Sequence, residues 1–156
     1  MKHTLLTLGL AMVLAFPAMA LAKEVTLITE MSSYRGDGAY LALYLTDSNG
    51  VYKGTLWIAG GKNKYYEHLR DWARGSRMNQ ADYDGLTGAS VTQGRTLRIT
   101  LDLDNSLIDS GHEIRIDSAV EDLRDNRSDV VAPLTTEGAG IPISGRGYVQ
   151  SFTYEF

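Results

Sequence analysis

The chain reads as an all-β domain with one inserted α-helix, and three observations predict it. Leu97, Ile99, Leu101 and Leu103 alternate with Arg98, Thr100 and Asp102, a two-residue period that marks a strand with one buried face. Asn49-Gly50 separates two apolar runs, and this pair tolerates the positive φ of a tight hairpin. Tyr65, Leu69, Trp72 and Ala73 instead follow helical spacing.

The elements follow in chain order. Lys2 precedes an apolar stretch over residues 5–16, too short to span a bilayer comfortably, and Ala18-Met19-Ala20 and Ala20-Leu21-Ala22 are small-x-small cleavage sites. Residues 1–22 therefore read as a secretory signal peptide cut after Ala22. Residues 23–156 form a single domain, 134 residues long, enough for one core. The first strand is expected over residues 25–31, the next two over 40–46 and 51–58. Asn63 is the expected N-cap of the helix and Gly75 its C-terminal stop. A loop over residues 84–90 leads to the strand at 97–103. Residues 113–118 alternate in the same way, and the turn chemistry between the two predicts a long-looped hairpin. Residues 137–147 hold four glycines with no helix following and read as a mobile loop. The last strand covers 148–156.

Composition limits the chemistry. Without Lys2 the mature chain has 14 basic against 19 acidic side chains, a formal charge of −5. That balance disfavours nucleic acid and anionic membrane surfaces as partners, and no second apolar run reaches membrane-span length. Cysteine is absent, which removes disulfides, c-type haem attachment and thiolate-held iron–sulfur clusters. Only His68 and His112 remain among the mature histidines, a poor basis for a metal centre. Asp102, Asp104 and Asp109 lack the glycine and terminal glutamate of a calcium loop and read as a solvated turn. Trp57, Tyr66 and Trp72 suit either a core or a flavin-stacking surface. Phe152, Tyr154 and Phe156 alternate at the C-terminus, as in outer-membrane barrels, but too few strands and a helix with no place in the wall favour a closing core strand.

The stretch Asp84-Gly85-Leu86-Thr87-Gly88-Ala89-Ser90 resembles the acceptor sequence of bacterial flavin transferases, Asp-(Gly/Ala)-x-(Ser/Thr)-Gly-Ala-(Ser/Thr). The resemblance implies that Ser90 receives FMN through a phosphoester. It also implies that Asp84 and Thr87 are read by the transferase, and that Gly88 and Ala89 keep the approach free of bulk. A tight turn is the alternative reading of the same residues. Three further blocks occur in order: Leu41 to Asp47 with Tyr52-Lys53-Gly54-Thr55-Leu56-Trp57, then Tyr66 to Trp72, then Asp84 to Asp102. With these the chain, over roughly residues 23–123, resembles the bacterial periplasmic family known as domain of unknown function 2271. It departs from that family at Tyr44, where Trp is common, and at Glu121-Asp122-Leu123-Arg124, which replaces Arg-Glu-Gly.

The resemblance implies an immunoglobulin-like β-sandwich in the periplasm. It implies an FMN transferase and a PepSY-type membrane reductase as partners. The expected role is that of a covalently flavinylated electron carrier, with FMN as its cofactor and no catalytic residues of its own. The alternative is a noncatalytic periplasmic binding or assembly module, since such sandwiches host many roles.

Overall fold

The computed structural model describes residues 21–156, so all but the last two residues of the expected leader lie outside the described residues. Among the described residues nine strands form two sheets: β1 (Ala22–Met31), β2 (Tyr40–Thr46), β3 (Tyr52–Ala59), β4 (Thr87–Gly88), β5 (Thr96–Asp104), β6 (Glu113–Ala119), β7 (Asn126–Pro133), β8 (Ile143–Ser144) and β9 (Val149–Glu155). One sheet has the order β5-β1-β9-β8 and the other β4-β3-β2-β6-β7. The two sheets stack as a β-sandwich, not a barrel. The one α-helix among the described residues, α1 (Arg70–Ser76), covers the outer face of the five-stranded sheet.

Alternation sets the inner faces. Val25, Leu27 and Met31 of β1, and Phe152 and Tyr154 of β9, are buried between the sheets. In register, Leu27 lies opposite both Ile99 and Tyr154. Leu41, Leu43, Leu45, Ile114 and Ile116 meet them from the other sheet. On β2 the intervening residues Ala42 and Tyr44 are buried as well, against Leu69 and Trp72 beneath the helix. This strand is covered on both sides, which is why Tyr40-Leu41-Ala42-Leu43-Tyr44-Leu45 shows no polar alternation.

Three sequence expectations are corrected. The strands at 97–103 and 113–118 are not a hairpin. β5 pairs with β1, whereas β6 pairs with β2 and β7. The connection of 105–112 therefore crosses between sheets. Alternation reports which face is buried and says nothing of the partner. The helix is also shorter than its apolar spacing suggests. Asn63–His68 is a 3₁₀ turn that breaks at Leu69 before α1 begins, and Asn63 is its first residue, not a cap. Gly75 lies inside α1, because a Cβ there would reach 2.5 Å from Tyr52 Cβ, and Arg77 takes the left-handed terminal conformation at φ 55°. The glycine-rich segment, finally, is fastened along its length. Gly140 N–H donates to the Tyr154 carbonyl, and Arg146 and Gly147 N–H donate to the buried Asp129 carboxylate at 2.7 Å each.

Candidate functional site

The segment of 84–90 runs along the edge of the five-stranded sheet. Gly85, at φ 75°, turns the chain. Thr87–Gly88 then adds as a short parallel strand to β3, with Ile58 N–H donating to the Leu86 carbonyl and Gly60 N–H to that of Gly88, both at 2.8 Å. One residue past Ser90, Val91 exchanges two backbone hydrogen bonds with Ala39, at 2.8 and 2.9 Å. Ser90 is thus exposed between two backbone anchors. This corrects the expectation of a plain loop: the unpaired groups of the β3 edge recruited it into the sheet.

The five residues singled out from the sequence divide on inspection. Asp84, Thr87, Ala89 and Ser90 are exposed. Gly88 is half-buried, and a Cβ there would stand 2.7 Å from Cζ2 of the Trp57 indole. Its lack of a side chain therefore serves packing at this edge. Gly38 plays the matching part for Ser90, since a Cβ on Gly38 would come within 2.5 Å of Ser90 Oγ. The hydroxyl sits in a hollow that a side chain at position 38 would fill.

That hollow opens into a groove of about 360 Å³ lined by Asp37, Gly38, Tyr40, Lys62, Tyr65, Ser90 and Glu121 among others. Asp84 and Thr87 line a neighbouring groove of about 550 Å³ with Lys62, Lys64, Tyr66 and Tyr83. Lys62 lines both, and Lys64 Nζ lies 4.7 Å from the Tyr65 ring centre. The lining of the Ser90 groove contains no histidine. A serine hydroxyl is a poor nucleophile at neutral pH without a base or metal.

The other candidates fall elsewhere. Trp72 and Tyr66 are buried, Trp72 donating from Nε1 to Thr55 Oγ1 at 2.9 Å, and both belong to the helix-side core. Trp57 is half-buried against Gly88. His68 Nδ1 lies 3.2 Å from the Asp125 carboxylate, which Arg70 also engages at 2.8 Å. His112 Nδ1 meets Ser110 Oγ at 2.8 Å. Asp104 accepts from Ser106 N–H, and Asp109 accepts from Thr136 N–H and Oγ1. Those hydrogen bonds hold both carboxyls below the usual range. Among the described residues no three His, Asp or Glu side chains gather to hold a metal.

Sequence reasoning missed Gly38, Tyr40, Lys62, Tyr65 and Glu121. They come from three separate segments and meet only because β2, the 3₁₀ turn and the β6–β7 connection end at one corner. No periodicity links them. It also missed Asp117, which is fully buried beneath α1 and accepts from Tyr44 Oη and from the Asp71, Trp72 and Ser128 amides at 2.7 to 3.0 Å. Burial pushes its carboxyl, and the Tyr44 phenol beside it, upward.

The chain matches the model of a family described as predicted periplasmic protein (DUF2271) over residues 22–151. It belongs to the DUF2271 family. The match runs well past residue 123, so the departures at Glu121 to Arg124 are local and the DUF2271 domain takes in the C-terminal strands. No curated protein and no solved structure matches the chain.

Proposed function

We propose that this DUF2271 protein is a periplasmic electron carrier bearing FMN on Ser90. The observation that carries the reading is the placement of Ser90: exposed, fixed between two backbone anchors, and set in the hollow left by Gly38. An FMN transferase using FAD would supply the group. Ser90 Oγ forms the new P–O bond, the pyrophosphate bond of FAD breaks, AMP leaves, and the serine proton passes to the transferase's base. Attached FMN supplies reversible electron transfer, taking electrons from a PepSY-type membrane reductase and handing them to a further acceptor. The protein itself holds and orients the group and performs no catalysis. Lys62 lines the Ser90 groove beside Asp37 and Glu121, and Asp84 and Thr87, exposed on the same edge, offer the transferase side chains to read.

Co-expression with an FMN transferase in the periplasm tests this. The wild type should gain one FMN-phosphoryl mass and fluoresce after denaturing electrophoresis. Ser90→Ala should lose both, Ser90→Thr should retain both, and Thr87→Ala and Asp84→Ala should reduce the yield in a folded protein. A wild type left unmodified while a known acceptor is labelled would favour a noncatalytic binding or assembly module.

A further inference from the structure

The groove at Ser90 shares Tyr40, Tyr65 and Glu121 with a second cavity of about 220 Å³, whose remaining wall includes His68, Val120, Asp122 and Leu123. Together they reach the size range of small-molecule sites, roughly 300–1,000 Å³. Resting on the reading of Ser90 as a flavin acceptor, we propose that this second cavity seats the isoalloxazine ring of the attached FMN, with Tyr65 as its principal stacking partner.

Three features support a planar, amphipathic occupant. The two tyrosine rings meet edge to face with centroids 5.5 Å apart, and both are held in place. Tyr65 Oη donates to Glu121 at 2.7 Å. Tyr40 lies over Gly60, at φ 135°, where any side chain would collide with the ring. Half-buried and already fixed, these rings offer aromatic surface at little further entropic cost. The far wall is apolar and open: Leu123 is a large hydrophobic residue left 45% exposed, suited to the hydrocarbon end of the ring system. Polar groups, Glu121, Asp122 and His68, line the same cavity. His68 has Nδ1 engaged by Asp125, so Nε2 is its free ring nitrogen. Lys62 lines the Ser90 groove, where the phosphoester would be, beside Asp37 and Glu121, and is absent from the lining of the second cavity, where the ring would be.

The test uses the full chain co-expressed with an FMN transferase and compares wild type, Tyr65→Ala, Tyr65→Phe and Leu123→Lys. Intact mass reads attachment. Flavin fluorescence yield in the folded protein against its own protease digest, together with visible circular dichroism, reads the ring's surroundings. A ring stacked on tyrosine is quenched and optically active. The wild type should therefore brighten severalfold on digestion, and Tyr65→Ala should lose both the quenching and the dichroism at unchanged attachment. Tyr65→Phe should fall between, keeping the ring but losing the bond to Glu121. Leu123→Lys, an exposed position, probes the cavity should Tyr65→Ala fail to fold, and should likewise raise the folded yield. A modified wild type whose yield equals that of its digest would overturn the seat and leave the Ser90 reading standing. An unmodified wild type would overturn both.

Discussion

Asp117 is the residue on which the helix side of the sandwich depends. Four donors converge on its buried carboxylate, two of them amides at the start of α1. Orphaned buried donors cost roughly 1–3 kcal/mol each, so Asp117→Ala should lower stability by about 3 kcal/mol or more in chemical denaturation. Its titration gives a second expectation. Burial raises the native carboxyl above its ordinary value, so between the two values the folded state holds a proton that the unfolded chain releases. The associated stability is fully present below the unfolded value of about 3.9 and is lost as pH rises through the native one. The melting temperature of wild type minus that of Asp117→Asn should therefore fall as pH rises across this window. A gap that stays constant would contradict the raised value. The turn carboxylates Asp47, Asp104 and Asp109 run the other way: hydrogen bonds lower them, and their contribution is lost only as pH drops below the unfolded value.

At the scale of elements, β4 is two residues long and holds the candidate site. It lies on β3 only because Gly88 lets the Trp57 ring pass. Overpacking costs typically 1–3 kcal/mol, so Gly88→Val should destabilise by about that amount and shift Trp57 fluorescence as the edge strand lifts. Loss of modification in that variant would then report a displaced Ser90. The inner-face register makes a contrasting case. Ile116 is fully buried on a central strand, whereas Leu101 is half-buried on the edge strand β5 and Arg98 faces outward. Ile116→Asp should prevent folding, Leu101→Asp should weaken it, and Arg98→Asp should be nearly silent in thermal melts. Equal tolerance at positions 116 and 98 would refute the faces assigned from the alternation.

These elements show what the sequence made legible. Strands β1, β2, β3, β5, β6 and β9 were visible because their apolar residues either alternate or run unbroken. β7 was not: Ser128 and Asp129 are buried polar residues in mid-strand, and Asp129 is satisfied by Ser118 Oγ and by three backbone amides of 146–149, distant in sequence. The acceptor-like segment was legible as a local string, while its groove was not, because Tyr40, Lys62, Tyr65 and Glu121 are brought together only by the tertiary fold. Glycines at 38 and 60 were the faint trace of that corner, since each is required by what packs against it.

For the whole molecule, the first strand is also a central one. β1 pairs with β5 over residues 22–30 and with β9 over 26–31, so the four-stranded sheet cannot close without the N-terminus. This limits where a leader can be removed. Cleavage after Ala22 forfeits the outermost pair, Ala22 with Asp104, and the hydrogen bond from Asn105 N–H to the Leu21 carbonyl, and keeps Lys23 over the Phe156 ring at 4.8 Å. N-terminal sequencing of the periplasmic protein should accordingly begin at Lys23, and an intact Met1 in that fraction would contradict it. A cut inside β1 is a different matter. Removing residues 23–27 deletes Val25 and Leu27, both fully buried, together with their pairing to β5. Burial of two such side chains is worth about 3–6 kcal/mol, a large share of the roughly 5–15 kcal/mol by which domains of this size are stable. A chain beginning at Ile28 should therefore lack a cooperative thermal transition, while one beginning at Lys23 should melt cooperatively. If the shorter chain melts cooperatively at the same temperature, β1 is not the central strand that the pairing requires.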